Sequence, residues 1–310
     1  MPLTLRDTKG SPLTFQEMDS NLTYLESLAG PFENGSANYS IQPKTGSNTA
    51  GDESSTVSGG FNNIIIKSGG GSCGCCIPIP TSSTSRGSTI GGGINNIISG
   101  EYATIAGGYS NFTGIGSCST YGATVGGGIS NSSIGSGSTI AGGGQTFCEY
   151  NVASGFNSTI GGGARNTVSG YVSIIGGGLC NSASGVSSTI GGGQANTVCS
   201  TYATIGGGYR NTVSSSEATI SGGGSNSALG PSSVIGGGAF NTVFGNCSAI
   251  LGGACNTISC FKSMIVGSDI VADRDCTTFV NNLSIKNIPI SPAGLPIGSV
   301  WNDGGTLKIV

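Results

Sequence analysis

The sequence contains no histidine and has few charged or aromatic residues. Charged residues make up 8% of the chain, aromatic residues make up 6%, and the formal net charge is −3. Without histidine, neither a Ser-His-Asp nor a Cys-His catalytic arrangement can exist. Nucleic-acid binding depends on contacts between basic side chains and phosphates, and this sequence has no stripe of basic residues to make them. We therefore predict a protein that is not an enzyme and that has no nucleic acid as partner.

Long apolar runs are missing as well. No run approaches the ~18 residues that cross a bilayer, and the opening Met1-Pro2-Leu3-Thr4-Leu5 lacks the pattern of a secretory leader. We expect no membrane insertion. Eleven cysteines, an odd number, would be unusual for a disulfide scaffold of this length. The expected compartment of synthesis is therefore a reducing cytoplasm.

Glycine is the residue in excess, with 59 of 310 positions. It does not recur at every third position, so a collagen triple helix is excluded. Most of the apolar content comes from isoleucine, valine and alanine. Small β-branched side chains of this kind favour a narrow interior built from strands.

A 15-residue period organises the middle of the chain. The isoleucines that carry it are Ile160, Ile175, Ile190, Ile205, Ile220, Ile235, Ile250 and Ile265. Toward the amino terminus the same column continues through Ile140 and Val125, and then through Ile105 and Ile90. Two steps, from Ile105 to Val125 and from Ile140 to Ile160, are longer than one period, which indicates one coil plus a five-residue insertion.

Each unit reads approximately Thr-Ile-Gly-Gly-Gly-x-x-Asn-x-Val-x-Gly-x-x-Ser/Ala, with asparagines such as Asn166, Asn196 and Asn211 in one register. A unit of this length accommodates two short strands and two turns, which is one coil of a β-solenoid. We predict an all-β, parallel β-solenoid of 15-residue coils, about 13 coils and on the order of 60 Å long. Stacked asparagines are expected to form a hydrogen-bonded ladder along it.

Assembly into a homotrimer is predicted from the small girth of the coil. One coil buries about one isoleucine, one valine and one small residue. The free energy gained by burying these side chains is small compared with the conformational entropy lost when every residue of the coil is ordered, because many of those residues are glycine. Identical chains around a common axis would give their inner faces a shared core through one repeated contact.

The two ends differ from the repeats. Phe15, Met18, Leu22 and Leu25 predict a short helix within residues 11–29, either a coiled-coil-like oligomerisation element or a helix docked on its own chain. We divide the chain into an attachment segment (1–30), a linker (31–55), the solenoid (56–268) and a C-terminal β cap (269–310). Within the cap, Gly298–Trp301 and Thr306–Val310 around Asn302-Asp303-Gly304-Gly305 predict a hairpin with a type I′-like turn.

Insertions between coils are the predicted places for contact with a partner, because loops on a rigid repeat scaffold commonly carry recognition. The candidate recognition loop, 146–157, holds Phe147, Tyr150 and Phe156. These aromatic side chains could contact a sugar or a protein surface, or only fill gaps at the coil edge. The outward threonines that precede the isoleucines form one column, which leaves an ice-binding role conceivable.

No cofactor is predicted. The acids between Ile90 and Gly267 that could act in glycoside cleavage are Glu101, Glu149 and Glu217, too dispersed along the coils to pair within one chain. Cys73, Cys75 and Cys76 lie together in a long insertion. They could ligate a metal, form a disulfide or be inert, and we predict no metal site.

The coil pattern over residues 56–268 resembles the head repeats of trimeric autotransporter adhesins, which implies a left-handed parallel β-roll in a threefold bundle. The sequence departs from those adhesins in that we predict from it no signal peptide, no long stalk and no membrane-anchor barrel. The segment Leu5-Arg6-Asp7-Thr8-Lys9-Gly10-Ser11-Pro12-Leu13-Thr14-Phe15, followed by Met18-Asp19, is similar to the opening of many bacteriophage tail-fibre and virion proteins. Ala293-Gly294-Leu295-Pro296, Val300-Trp301-Asn302-Asp303 and Thr306-Leu307 resemble a terminus shared among phage structural proteins.

These resemblances imply a homotrimeric fibre or spike on the virion surface, assembled in the host cytoplasm. It would attach to other virion proteins through its N-terminal end and meet a host-surface receptor or glycan farther along. The expected role is host-surface adhesion or virion decoration. A bacterial cell-surface trimeric adhesin and an ice- or surface-binding solenoid are the alternatives.

Overall fold

The computed structural model describes residues 32–34, 41–43, 47–51, 54–66, 87–114, 120–146, 148–284 and 286–310. Within these ranges the chain is an all-β, parallel β-solenoid of about 14 coils, each about 15 residues long. The predicted solenoid is thereby confirmed. The described ranges contain no helix, and the predicted helix of residues 11–29 lies outside them.

One coil, residues 189–203, shows the common plan. Thr189–Ile190 lies in one sheet, here named sheet A, and Thr197–Val198 lies in the other, named sheet B. The first turn joins A to B and contains the glycine triplet; the second turn leads from B to the next strand of A, Thr204–Ile205. Two-residue strands suffice because every strand between the ends of a sheet pairs with one neighbour above and one below.

Sheet A has 16 strands and sheet B has 14. Strands pair in parallel with the equivalent strand of the adjacent coil, except that Phe32–Asn34 pairs antiparallel with Ile41–Pro43. Sheet A consists of Phe32–Asn34, Ile41–Pro43, Thr56–Val57, Thr89–Ile90, Thr104–Ile105, Thr124–Val125, Thr139–Ile140, Thr159–Ile160, Ile174–Ile175, Thr189–Ile190, Thr204–Ile205, Thr219–Ile220, Val234–Ile235, Ala249–Ile250, Met264–Val266 and Thr278–Val280. Sheet B consists of Thr49–Ala50, Ile64–Ile65, Ile97–Ile98, Phe112–Thr113, Ser132–Ser133, Val152–Ala153, Thr167–Val168, Ser182–Ala183, Thr197–Val198, Thr212–Val213, Ser227–Ala228, Thr242–Val243, Thr257–Ile258 and Val271–Ala272. A separate antiparallel hairpin joins Val300–Asp303 to Thr306–Ile309.

The pairing register agrees with the period in the sequence. Ile160 pairs with Ile175, one period away, and the two longer steps also advance by one coil, since Val125 pairs with Ile105. Val57 pairs with Ile90 across the longest insertion. The coils on either side of each insertion therefore pair in register, as expected for insertions at the turns of a repeat scaffold.

The core consists of columns that run along the solenoid axis. The predicted isoleucines are fully buried: Ile160, Ile175, Ile190, Ile205, Ile220, Ile235 and Ile250. Behind them lies the inward column of sheet B, which holds isoleucine, valine and alanine and, in two coils, Thr113 and Ser133. A further column of alanine and serine is also buried. A single chain thus encloses its own apolar residues. The reason given for a trimer, that inner faces must be shared between copies to bury them, is wrong; the trimer itself stays a prediction.

The asparagine column is a buried and fully used hydrogen-bond ladder. The Asn196 backbone N–H donates to Asn181 Oδ1 at 3.0 Å, and Asn196 Nδ2 donates to the carbonyl oxygens of Gly192 and Gly208, each at 3.0 Å. Asn196 Oδ1 in turn accepts from the Asn211 N–H at 3.0 Å. The predicted ladder is confirmed, and it lies in the interior, where an amide without these partners would be costly.

The glycine triplet is needed at its last position and not at its middle one. Gly208 has φ +97°, and a Cβ there would lie 2.1 Å from the Gly223 carbonyl oxygen of the next coil. A Cβ at Gly207 would meet no atom within 4 Å. Residues other than glycine also adopt left-handed φ in both turns, among them Ala195 and Tyr202 at 57°. The sequence pattern did not indicate those positions.

The ends differ from the predicted division of the chain. The predicted linker, 31–55, contains three strands, and the last of them, Thr49–Ala50, pairs in sheet B with Ile64–Ile65. Solenoid pairing continues past residue 268, because Thr278–Val280 pairs with Met264–Val266. The predicted hairpin is confirmed, with positive φ at Gly304 and Gly305 as a type I′ turn requires.

Candidate binding surfaces

The residues of the predicted recognition loop do not lie together. Tyr150 precedes the strand Val152–Ala153 and Phe156 follows it, so the two aromatic side chains lie at opposite ends of that strand. Phe156 belongs to an ordinary second turn, not to the insertion. Both side chains are exposed. Phe147 lies outside the described residues.

An exposed apolar ridge follows the second turns of the solenoid from Tyr102 to Tyr202. Phe156 and Tyr171 occupy the same position in successive coils, and their rings stack with centroids 5.1 Å apart and planes at 6°. Tyr102 and Tyr121 stack in an earlier pair, with centroids 6.4 Å apart. The exposed side chains of this second-turn ridge are Tyr102, Tyr121, Phe156, Tyr171, Val172, Val186 and Tyr202. Coil stacking at ~4.8 Å brings rings one period apart into contact.

The first turns carry a different surface. Arg210 lies over the ring of Tyr209, with its guanidinium carbon 4.9 Å from the ring centroid. Exposed apolar side chains also occur here, including Phe61, Leu179 and Phe240. This edge therefore combines one cation–π contact, that of Arg210 with Tyr209, with exposed apolar side chains.

Both sheets present hydroxyl groups outward, whereas the sequence analysis identified one column. In sheet A the half-buried threonines include Thr189, Thr204 and Thr219. In sheet B an outward column contains Thr167, Thr197, Thr212, Thr242 and Thr257, and exposed serines often follow two residues later, as in Ser169 and Ser214. The period of two along each strand explains the second column, because Val198 points inward between outward-facing residues.

The acidic residues weighed for catalysis are dispersed. Glu101 is buried in a second turn, and Glu217 is exposed in a second turn far along the solenoid, where it accepts a hydrogen bond from the Ser232 hydroxyl at 3.0 Å. Across the residues that the structure describes, no three histidine, cysteine, aspartate or glutamate side chains form a group that could hold a metal ion. Cys73, Cys75 and Cys76 lie outside that part of the chain.

Seven described cysteines are free thiols. Cys180 and Cys255 occupy the same position of the first turn in coils far apart, as the sequence predicts. Burial raises the pKa of the Cys260 thiol, and the carboxylates of Asp275 and Asp273 raise it further. The Cys260 thiol donates to the Ala272 carbonyl oxygen at 3.2 Å, a contact that also favours its neutral form.

The predicted oligomerisation residues, Phe15, Met18, Leu22 and Leu25, lie outside the described residues. In the part of the chain that the structure describes, no helix is long and apolar enough to span a bilayer. Neither a scan against protein-family models nor a search of curated proteins finds a match for this chain.

Proposed function

We propose that this protein is a structural fibre or spike of a virus particle, a homotrimer of left-handed β-rolls that mediates adhesion to a host surface and catalyses no reaction. The observation that carries the proposal is the continuous stack of about 14 coils, held by an uninterrupted asparagine ladder. Such a stack is on the order of 65 Å long at ~4.8 Å per coil. A rod with a repetitive interior and variable turns suits display and contact.

The distribution of side chains supports a binding role over a catalytic one. Inward positions repeat from coil to coil, while the turns vary and carry the exposed aromatic side chains, among them Phe156, Tyr171 and Tyr202. Tyrosine and phenylalanine are enriched in the contact surfaces of proteins. We place the host-contacting surface on the second-turn ridge, and attachment to other virion proteins in residues 1–30.

Localisation on particles is the direct test. Antibodies raised against the recombinant chain are applied to purified virus particles and to envelopes of virus-free cells of the source organism. Stoichiometric labelling of particles supports a virion fibre. Labelling of virus-free cell envelopes without labelling of particles would contradict the virion fibre and support a bacterial surface adhesin instead.

Adhesion is tested separately by a surface-binding assay with the purified chain. Replacing the stacked pair, Phe156→Ser with Tyr171→Ser, should reduce binding to host cells by about tenfold or more, since buried aromatic anchors dominate contact surfaces. The control, Phe240→Ser, removes an even more exposed ring from the first-turn edge and should leave binding unchanged. An equal loss of host-cell binding in both variants would contradict the second-turn ridge as the contact surface.

A second candidate, an ice- or surface-binding solenoid, is favoured by the hydroxyl column of sheet B. Its threonines and serines lie on a flat parallel sheet at the regular spacing of the coils. An ice-recrystallisation assay of the purified chain decides this candidate, with Thr197→Tyr and Thr212→Tyr introduced to interrupt the flat face. Inhibition by the unaltered chain and its loss in the variant would favour ice binding over the fibre.

A further inference from the structure

The outer side of sheet B is apolar in its amino-terminal coils and polar in later ones. Ile64, Ile97 and Phe112 occupy one outward position in three adjacent coils, because Ile64 pairs with Ile97 and Ile97 pairs with Phe112. Each of these side chains is only half-buried. The same position holds Thr197 and Thr212 in later coils. The fold itself therefore does not require an apolar residue there.

A second apolar column runs beside the first, along the first turns of the same coils. Phe61 bridges to Ile94, Ile94 bridges to Tyr109, and Tyr109 bridges to Ile129. Phe61 and Ile94 are 53% and 43% exposed. Within one coil the two columns are three residues apart, as in Phe61 and Ile64, so they lie within about 11 Å of each other.

The two columns together are here named the amino-terminal face. Its residues are Phe61, Ile94, Tyr109 and Ile129 of the first turns and Ile64, Ile97 and Phe112 of sheet B. The stretches that carry them, 58–66, 91–99, 106–114 and 126–134, contain no charged residue. Adjoining apolar side chains at a surface mark a contact site, and an uncharged face favours an apolar partner.

The chain enters the solenoid at the edge where this face begins. Ile41–Pro43 runs parallel to Thr56–Val57, a strand that leads directly into a first turn. Phe32–Asn34 runs antiparallel to Ile41–Pro43, with Phe32 opposite Pro43. Because Pro43 ends its strand on the first-turn side, the chain that precedes Phe32 leaves the sheet on that side as well.

We infer that residues 15–25 of this chain dock on the amino-terminal face as a helix. Phe15, Met18, Leu22 and Leu25 form the apolar stripe that the sequence predicts there. These residues lie outside the described ones, and the sequence left open whether such a helix joins other copies or packs on its own chain. Docking on its own chain goes beyond the proposed function and does not depend on it.

The dimensions of the stripe and of the face agree. The ten residue steps from Phe15 to Leu25 correspond to about 15 Å of helix. The three coil steps from Phe61 to Ile129 correspond to about 14 Å along the solenoid axis. A helix with its side chains is about 10–12 Å wide, so one helix covers both columns.

The connection to the first strand limits where the helix can dock. The seven residue steps from Leu25 to Phe32 span at most about 25 Å. Sheet A advances about 10 Å over the two strand steps from Phe32–Asn34 to Thr56–Val57. It advances about 38 Å over the eight steps to Ile174–Ile175, which is out of reach. The docking surface must therefore lie on the first few coils, and the amino-terminal face does.

A photoreactive benzophenone amino acid in place of Ile97 tests the contact in the full-length chain. After illumination, peptide mapping by mass spectrometry should find position 97 bonded to residues 15–25. On a denaturing gel the product should have the mass of a single chain. The control places the same amino acid at Thr212, the equivalent outward position of a later coil, and should give no product with residues 15–25.

The other products of this experiment contradict the docking. A product of twice the mass would assign the amino-terminal face to a contact between copies of the chain. Illumination without any product to residues 15–25 would place the helix elsewhere. Neither outcome bears on the labelling of virus particles, so the fibre proposal is judged separately.

Hydrogen exchange provides an independent measurement. The amides of residues 15–25 should be protected in the unaltered chain, because a short helix without a packing partner is marginal in water. Ile97→Asp with Phe112→Asp should raise their exchange rates about tenfold or more, the effect of losing one buried aliphatic contact. Thr197→Asp with Thr212→Asp, at the same position of later coils, should leave these rates unchanged.

Circular dichroism shows whether the variants remain folded. All four replaced side chains point outward, so the β spectrum of the solenoid should be retained in both double variants. Exchange rates in residues 15–25 that stay the same in Ile97→Asp with Phe112→Asp would overturn the amino-terminal face as the docking site. Absence of protection in the unaltered chain would overturn the docked helix itself.

Discussion

Replacing the last glycine of one triplet should destabilise the solenoid far more than replacing the middle one. In Gly208→Ala the new Cβ would lie 2.1 Å from the Gly223 carbonyl oxygen and 2.7 Å from Asn211 Nδ2, at a φ of +97°. The adjacent coil must retreat by roughly 1 Å to reach an ordinary contact distance. In Gly207→Ala the new methyl group would meet nothing within 4 Å.

The size of the destabilisation in Gly208→Ala follows from the hydrogen bonds that the shift of the adjacent coil would break. The Gly223 carbonyl accepts from the Tyr209 N–H at 2.9 Å and from Asn211 Nδ2 at 3.0 Å. Leaving buried polar groups without partners costs about 1–3 kcal/mol each, and a left-handed φ costs a residue with a Cβ about 1–2 kcal/mol. We expect a loss of about 3–6 kcal/mol in the free energy of unfolding for Gly208→Ala, and a change of less than about 1 kcal/mol for Gly207→Ala.

Thermal melting followed by circular dichroism measures the difference, which should amount to about 10 °C between the two variants. Hydrogen exchange resolves its location, because coupling in a stacked repeat passes from each coil to its neighbours. The hydrogen-exchange rate of the Tyr209 amide should rise in Gly208→Ala and stay unchanged in Gly207→Ala. Equal melting temperatures for the two variants would refute the close-approach argument.

Three further predictions concern the ladder, a buried hydroxyl and a thiol. Asn196→Ala removes the side-chain donor to the Gly192 and Gly208 carbonyl oxygens and the acceptor of the Asn211 N–H. It should cost about 3–5 kcal/mol by urea unfolding, against almost nothing for the exposed control Gln194→Ala. Thr113→Val should raise the melting temperature, because Thr113 Oγ1 is buried without a hydrogen-bond partner in a column that holds valine in other coils; a lower melting temperature would contradict this. Cys260 should be alkylated slowly near neutral pH, because its raised pKa lowers the thiolate fraction, and faster in Asp275→Asn, as mass spectrometry of the labelled peptide would report. An unchanged rate in that variant would mean that the carboxylate does not control the thiol.

The coils of the solenoid have a conserved plan inside and variable turns outside. Its interior repeats the isoleucine and asparagine columns from coil to coil. Its turns tolerate variation, including residues with left-handed φ such as Arg165, Phe240 and Lys262. Contact surfaces can therefore change at the turns while the isoleucine and asparagine columns stay in register.

Particular residues show how far the sequence predicted the candidate surfaces. Ile190 and Asn196 could be placed in buried columns because each residue type recurs at the same position of successive repeats. Residues one period apart stack on each other in a solenoid. The same period places Phe156 beside Tyr171, a contact that the sequence analysis missed because it assigned Phe156 to an insertion. Tyr150 and Phe156 are close in sequence, yet a strand lies between them and separates them to opposite edges.

The sequence by itself determined the period, the register and the identity of the core columns, because these follow from which residues repeat. Tertiary structure alone decided that one chain closes around its own isoleucines, that Gly208 is needed and Gly207 is not, and that the chain enters sheet A from the first-turn edge. Those outcomes depend on distances between neighbouring coils and on the geometry of the turns. A one-dimensional pattern fixes neighbours along the axis and leaves these distances open.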